Sequence, residues 1–214
     1  MVFYFTSTCG EFTIYMGKDK YENEDLIKYG LPEDVWFHVD DLSSAHVYLR
    51  MKPGMTLDDI SEDLLLECAA LVKANSIAGC KKSSVYIVYT RWKNLKKTAS
   101  MVDGQIGFHR PDNVKRVQVE KNNPIVNKMN KSKVERHPDL YQIQQDRERE
   151  MQMEKKEARR QLEKEKKSEQ LKNRQEKEEK SYDRIFTTDE MKSNTEVEAS
   201  VDNSAAEAYE DDFF

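Results

Sequence analysis

The stretch from residue 140 to residue 180 places the strongest limit on how this chain can fold. It contains no glycine or proline and consists mainly of Glu, Lys, Arg and Gln. This composition favours one continuous helix, supported by well-oriented pairs such as Glu163–Lys167 and Glu176–Lys180. Its few apolar residues do not keep a seven-residue repeat, so a strong coiled coil is not expected. A compact core must therefore be built by the residues that precede it.

The distribution of charge divides the chain into three regions. Residues 1–120 carry 15 Lys and Arg against 17 Asp and Glu, residues 121–180 carry 18 against 13, and residues 181–214 carry 2 against 10. We predict a folded domain over residues 1–120 and a charged helix, at most a weak coiled coil, over residues 121–180. Residues 181–214 are acidic and rich in Ser and Asn, which predicts a disordered tail.

Short alternating segments and two amphipathic segments share residues 1–120. The expected order is β-β-α-β-β-α-β-β-β, which predicts an α+β domain with a mostly antiparallel sheet and two helices. The clearer helix follows Ser61, a favourable N-cap, and places Leu64, Cys68 and Leu71 on one apolar stripe. Pro124 marks an early helical position after the domain, and the pair His137-Pro138 predicts a break before the long helix.

Residues 34–50 contain two strands whose alternation separates apolar side chains from polar and aromatic ones. The apolar side consists of Val35, Phe37, Val39, Val47, Leu49 and Met51. The other side carries Trp36, His38, His46, Tyr48 and Arg50. Two interpretations are open. Either a helix covers this second side and hydrogen bonds satisfy the histidines, or the side is open and can stack on bases and contact phosphates.

Residues 68–102 form a run without a single acid that contains seven Lys and Arg residues. Residues 19–67, in contrast, carry 13 acids and 4 bases. An acid-free run inside a domain indicates a basic surface and hence an anionic partner. The alternative is that these bases pair in space with the acids of the preceding segment, and the sequence leaves both interpretations open.

Several functional classes have no sequence signal. The three cysteines and four histidines form no CxxC pair or ligand cluster, which predicts no disulfide framework, metal site or cofactor. No nucleophile–histidine–carboxylate pattern, phosphate-binding loop or HExxH motif is present, so we predict a non-enzymatic protein. No apolar run is long enough to span a membrane, and the first residues do not resemble a signal peptide. We therefore expect a cytoplasmic or nuclear location, with peripheral membrane contact through the charged helix left open.

Three segments resemble the motifs of the NFACT-R domain, a nucleic-acid-binding module of ribosome quality-control proteins. They are GKDKYENEDL at residues 17–26, DVWFHVDDLSSAHVYL at residues 34–49 and YTRWKNLKKTASMVDGQIGF at residues 89–108. The resemblance implies an RNA-binding domain whose larger relatives hold tRNA on the large ribosomal subunit. The long N-terminal region and coiled-coil arms of those relatives have no counterpart in this sequence, so association with the ribosome is only an expectation.

The resemblance and the basic run together predict a nucleic-acid interface on this domain, with RNA favoured and DNA not excluded. The motifs place Lys18, Lys20, Tyr21, Asn23, Trp36, His38, His46, Lys93, Lys96 and Lys97 in it. The neighbouring bases and ring add Arg50, Arg91, His109 and Arg110. The alternative is a scaffold or adaptor that acts through the helix at residues 140–180 and contacts protein partners or an anionic membrane surface.

Overall fold

The computed structural model describes residues 1–98 and 100–180. The predicted acidic tail, residues 181–214, lies outside the described residues. The strands are β1 (Val2–Thr6), β2 (Thr13–Gly17), β3 (Asp34–Val39), β4 (Val47–Arg50), β5 (Ser84–Arg91), β6 (Leu95–Lys96), β7 (Gly107–Phe108), β8 (Lys115–Glu120) and β9 (Val134–Arg136). The α-helices are α1 (Lys20–Lys28), α2 (Glu62–Ala74), α3 (Asn123–Lys131) and α4 (Leu140–Lys180).

Seven strands form one antiparallel sheet in the order β8-β5-β3-β4-β2-β1-β9. The two remaining strands, β6 and β7, pair with each other in a separate two-stranded ribbon. The mixed composition of helices and an antiparallel sheet confirms the predicted α+β class. The long charged helix is also confirmed, because α4 begins at Leu140 and ends at Lys180.

One face of the sheet packs against α2 and α3. Alternation sends Val35, Phe37 and Leu49 to this face, where each is fully buried. The predicted cap of α2 is present, since the Ser61 hydroxyl accepts a hydrogen bond from the Leu64 backbone N–H at 3.4 Å. The apolar stripe of α2 is buried in this core, including Cys68 at 0% exposure.

The second face of the sheet is also covered. It packs against Leu26 of α1, Leu95 of β6, Phe108 of β7 and Leu140, the first residue of α4. A 3-10 turn at Trp92–Asn94 leads into the β6–β7 ribbon, and the Trp92 indole donates to the Ile27 carbonyl at 2.8 Å. The central strands β2, β3 and β4 are therefore buried on both faces, which limits where ligand-accessible surface can lie.

The sheet also recruits chain from beyond residue 120. Helix α3 buries Met129 against the first face, and β9 then pairs with β1 at the edge of the sheet. Strand β9 has only three residues, and all of them are exposed, so its sequence carries no apolar alternation. This explains why no strand was expected there. The division of the chain into functional regions at residues 120 and 180 stays a prediction.

The first turns of α4 belong to the same compact unit as the sheet, which runs from Met1 to Met151. The Arg147 guanidinium donates to Glu33 Oε1 at 2.6 and 2.8 Å, and both side chains are largely buried. The Tyr141 ring meets Tyr29 edge-on with centroids 5.9 Å apart. Residues 152–180 belong to a second unit. Among the described residues no helix is long and apolar enough to cross a membrane.

On the second face of the sheet, a buried carboxylate links strands β2, β3 and β4. Asp34, at the start of β3, is 0% exposed and accepts hydrogen bonds from the Tyr15 hydroxyl at 2.7 Å and from the Leu31 backbone N–H at 2.8 Å. The Arg50 guanidinium on β4 completes the set at 3.0 and 3.2 Å. Because these partners are polar and largely removed from water, each depends on the Asp34 carboxylate for a hydrogen-bond acceptor.

We expect Asp34→Ala to lower the free energy of unfolding by about 3–5 kcal/mol, because it leaves a largely buried guanidinium without its counter-charge. Urea denaturation followed by circular dichroism measures the loss. Glu11→Ala is the matched control, since it removes the carboxylate of an exposed ion pair with Lys52, and its denaturation midpoint should stay close to the unsubstituted value. Equal midpoints for the two variants would contradict the role of Asp34.

Candidate nucleic-acid interface

A cleft of about 790 Å³ opens where β2 ends and α1 begins, and we call it the α1 cleft. The end of β3, the segment that leads from it to β4, the segment after α2, Phe3 and residues 103–106 complete its walls. Five of the predicted interface residues line it: Lys18, Lys20, Asn23, His38 and His46. Two motif segments that are separate in the sequence thus meet at one opening.

The entry into α1 shapes this cleft. Gly17 ends β2 so close to the helix that an added Cβ would lie 3.0 Å from the Asn23 backbone nitrogen. Asp19 caps the helix by accepting hydrogen bonds from the backbone N–H groups of Tyr21 and Glu22, both at 3.0 Å. Asn23 is buried and accepts from the Tyr48 hydroxyl at 3.3 Å, which fixes the first turn of α1 to the sheet. Lys18 and Lys20 remain exposed at the rim.

Trp36, His38 and His46 form a compact cluster on the second face, behind the cleft. The Trp36 indole N–H donates to His46 Nδ1 at 2.9 Å. The His38 ring stacks on the Trp36 ring with centroids 5.4 Å apart and planes 3° apart. His46 and Gly104, which belongs to the segment that forms the far wall, both line the cleft.

The two histidines of this cluster are held in their neutral form. Burial lowers the pKa of His46 to about 3, and the neighbouring His38 contributes to the same shift. Burial also lowers the pKa of His38, although less strongly. At neutral pH neither ring therefore supplies a positive charge for a phosphate, and both act as neutral hydrogen-bonding groups.

Three predicted interface residues are engaged inside the fold, whereas the open-face interpretation requires them to be accessible to a ligand. Trp36 is 3% exposed, so its ring is enclosed and has no free face for a base. Arg50 is committed to Asp34 and Tyr15. His46 is 7% exposed, and its Nδ1 accepts the indole N–H of Trp36. For these residues the covered-face interpretation is correct, because α1, the β6–β7 ribbon and the start of α4 close over the central strands.

A second cluster of predicted residues lies at the other end of the central strands, and we call it the β5 cleft. It has a volume of about 550 Å³. Arg91, Lys93, His109 and Arg110 line it, together with Lys115 and Asp112. Register separates it from the α1 cleft: Arg91 lies opposite Val35 at the start of β3, whereas His38 lies near the end of that strand. The predicted residues therefore form two groups.

The bases of the acid-free run are used in different ways. Lys97 pairs with Glu24 on α1 at 2.8 Å and donates to the carbonyls of Val102 and Gln105 at 3.0 and 3.2 Å. Lys73 is buried and donates to the carbonyls of Gly79 and Lys82 at 3.0 and 2.7 Å. These two lysines hold the fold together.

Other bases of the domain stay at the surface. The side chain of Lys96 is exposed on β6, and Tyr21 is 66% exposed beside Lys20, whose ammonium lies 4.9 Å from its ring centroid. Arg116, just beyond the run, pairs with Asp40. Both interpretations of the basic run thus hold in part, for different residues.

One contributor to the α1 cleft was not among the predicted interface residues. Residues 103–106 supply its far wall, where Gly104 adopts a φ of +82°. They lie inside the motif segment at residues 89–108, from which only basic residues were predicted as contacts. The Asp-Gly pair in this segment is a turn signal that could have indicated them.

In the described ranges, no group of three or more His, Cys, Asp or Glu side chains is placed to hold a metal ion. His38 and His46 are adjacent, with ring centroids 4.8 Å apart. His46 Nδ1, however, already accepts the indole N–H of Trp36. The pair therefore offers no ready set of metal ligands.

The neutral state of His46 makes stability depend on pH. An unfolded histidine titrates near pH 6.5, whereas folded His46 takes up a proton only near pH 3, so protons favour the unfolded chain between these values. The contribution of neutral His46 is complete above about pH 6.5 and is lost as the pH falls towards 3. Between pH 7 and pH 4 the free energy of unfolding should fall by about 3 kcal/mol more in the unsubstituted protein than in His46→Gln. Denaturant titrations at both pH values measure the difference.

The control for this experiment is His137→Gln, which replaces an exposed histidine. It should keep the full pH dependence of the unsubstituted protein. The proposed state of His46 is wrong if His46→Gln and His137→Gln show the same change in unfolding free energy between the two pH values.

Comparison with known proteins agrees with this geometry. The family model described as NFACT protein RNA binding domain matches residues 1–110. Coiled-coil domain-containing protein 25 of Mus musculus is 57% identical over 198 residues, which cover 91% of this chain and 95% of that protein. The protein of the same name from Danio rerio is 64% identical over 153 residues, which cover 70% and 74%.

A solved structure, the C-terminal of the fibronectin/fibrinogen-binding protein from Streptococcus suis, shares the fold. Its TM-score is 0.50 at 23% identity, and the match covers 61% of this chain and 49% of that one. The family model and the two relatives confirm the resemblance that the motifs at residues 17–26, 34–49 and 89–108 predicted. The chain belongs to the NFACT protein RNA binding domain family.

Proposed function

We propose that this chain binds RNA through the α1 cleft and catalyses no reaction. The observation that carries the proposal is that the cleft unites two motif segments of an RNA-binding family. Lys18, Lys20 and Asn23 come from the first segment, and His38 and His46 come from the second. The cleft has two exposed cations at its rim, Lys18 and Lys20, and neutral hydrogen-bonding groups inside. Lys20 lies 3.8 Å from Asp103, and Asp19 and Asp41 also line the cleft.

The rim offers the chemistry that a phosphate backbone needs. Lys18 and Lys20 are exposed ammonium groups beside the N-terminus of α1, and the helix adds partial positive charge at that end. Their contacts would be independent of sequence and sensitive to salt. The exposed Tyr21 ring can stack on a base, an interaction worth about 1–3 kcal/mol. Tyr21 is therefore the ring that would stack on a base, because Trp36 is enclosed.

The buried cluster has a supporting role in this proposal. Trp36 and His46 hold the wall of the cleft in place through their hydrogen bond. His38 is only partly covered and presents a neutral imidazole edge to the opening. Such an edge can exchange hydrogen bonds with a base or with a ribose hydroxyl. Because only RNA has the 2′-hydroxyl, a contact of this kind would favour RNA over DNA.

The family description supports RNA as the ligand class. The larger relatives implied by the motif resemblance hold tRNA on the large ribosomal subunit, so tRNA is the first probe. Association with the ribosome, and a cytoplasmic or nuclear location where RNA is present, form part of this proposal. The alternative, a scaffold that acts through α4, would be favoured by a defined protein complex that forms without any affinity for RNA.

The test replaces two rim cations in the full chain. Lys18→Gln/Lys20→Gln should weaken binding of fluorescein-labelled tRNA about tenfold at 100 mM salt and reduce the slope of log K against log salt by about 1.5–2. Fluorescence anisotropy at several salt concentrations measures both quantities. The control is Lys52→Gln/Lys121→Gln, which removes two exposed cations that do not line the α1 cleft. Its affinity should stay within twofold of the unsubstituted chain.

A third variant separates the two clefts. Lys93→Gln/Arg110→Gln removes two cations of the β5 cleft and leaves the α1 cleft intact. If only this variant loses affinity, the site lies in the β5 cleft and the proposal fails. Equal affinity for tRNA and for duplex DNA of similar length would contradict the preference for RNA. Absence of tRNA binding at low salt would contradict RNA binding itself.

A further inference from the structure

Helix α4 beyond Met151 separates its charges onto two opposite faces. At about 100° per residue, most of its bases fall within an arc of about 160°, which we call the basic face. The basic face consists of Lys155, Lys156, Arg159, Arg160, Lys166, Lys167, Arg174, Lys177 and Lys180. Two bases of this stretch, Lys164 and Lys172, lie outside it. The opposite side carries Glu154, Glu157, Glu165, Glu169, Glu176 and Glu179.

The basic face keeps most of its charge available. Two acids, Glu163 and Glu178, fall within its arc and pair with Arg159 at 3.1 Å and Arg174 at 2.9 Å. At the end of the helix Lys180 lies 3.6 Å from Glu176. Within residues 152–180, no ion pair engages the remaining six bases: Lys155, Lys156, Arg160, Lys166, Lys167 and Lys177. Every side chain of this stretch is exposed.

The sparse apolar residues argue against two other occupants. A helix that lies on a membrane needs one continuous apolar face. Here Met153 and Leu171 point to one side of the helix and Leu162 to the opposite side. A second copy of the chain would need an apolar seam at positions three and four residues apart, which these three residues do not form. Exposed ion pairs alone contribute little to association.

A polyanion with regularly spaced charge fits the basic face. The neighbouring pairs 155/156, 159/160 and 166/167 repeat at about 6–11 Å along the helix axis, at a rise of about 1.5 Å per residue. A nucleic-acid backbone presents phosphates at a closer spacing than these pairs, so each pair of basic side chains can contact a phosphate. The acidic side faces away from such a partner and limits binding to one face.

We propose that the basic face of α4 binds the phosphate backbone of nucleic acid, independently of sequence, as a second contact region outside the α1 cleft. This inference rests on the proposed RNA binding of the chain. It extends that function by assigning a further site, with double-helical RNA as the ligand to be tested. The site would add affinity and salt dependence without any preference for a base sequence.

The test compares two variants of the full chain that differ only in helix face. Lys156→Gln/Lys167→Gln removes two unpaired cations of the basic face, and Lys164→Gln/Lys172→Gln removes two cations outside it. Lys and Gln have similar helix propensity, so circular dichroism should show unchanged helix content in both. Anisotropy titrations use a labelled 24-base-pair RNA duplex of mixed sequence. The basic-face variant should lose about tenfold in affinity at 100 mM salt and about 2 in salt slope. The control should keep the unsubstituted affinity and slope.

The outcomes separate this proposal from the proposed function. Equal losses in the two helix variants would mean that only net charge matters, and equal retention would mean that the helix makes no contact. Either result overturns the inference. If Lys18→Gln/Lys20→Gln alone loses affinity for the duplex, the α1 cleft binds RNA and α4 does not. If the basic-face variant alone loses affinity, the helix binds RNA and the proposed cleft is wrong. Sedimentation at low salt tests one further outcome. A dimer that dissociates in the Lys156→Gln/Lys167→Gln variant would assign the basic face to a second copy of the chain, against the proposal.

Discussion

The carboxylate of Asp34 is the interaction on which the arrangement of the domain depends. It joins β2 through Tyr15, β4 through Arg50 and the turn after α1 through the Leu31 backbone N–H. Glu33, the residue before Asp34, accepts hydrogen bonds from Arg147 of α4. One enclosed anion therefore coordinates the central strands, the turn below α1 and, one residue away, the attachment of the long helix. Such a network defines a single geometry, because any other register would leave charged groups buried without partners.

Burial of both faces of the central strands moves their accessible chemistry to the ends of the strands. In a sheet with one solvated face, Trp36 and Tyr48 could contact a ligand directly. Here α1, the β6–β7 ribbon and the start of α4 close that face, and the aromatic residues become the rigid backing of the α1 cleft. The neutral histidines are a consequence of the same enclosure. Positive charge is left to flexible lysines at the rim, where it can follow an irregular backbone.

The sequence predicted the features that local patterns control. Alternation in residues 34–50 assigned the apolar face correctly, Ser61 marked the start of α2, and the absence of Gly and Pro delimited α4. No local sequence pattern predicted that the second face of the sheet is covered. This coverage comes in part from Trp92, Leu95 and Phe108, which are spaced irregularly within and just after the acid-free run. Strand β9 was missed because its pairing with β1 is a contact between distant parts of the chain.

The same distinction applies to the interface. Motif resemblance named residues that meet in the α1 cleft, but it also named Arg50 and Trp36, whose roles are internal. Sequence marks residue types, whereas the choice between a ligand contact and a structural contact depends on burial. Lys97 illustrates this, because Glu24 and two loop carbonyls engage an ammonium group that the sequence places in a basic run.

The separation of charge on α4 gives the helix an electric dipole perpendicular to its axis, in addition to the backbone dipole along it. The field near a polyanion pulls on the net positive charge of this stretch and also exerts a torque on its transverse dipole. The torque would favour approaches in which the positive side of the helix leads. Orientation during approach shortens the search for a productive encounter, and salt that screens the field would slow the association rate as well as weaken the final complex.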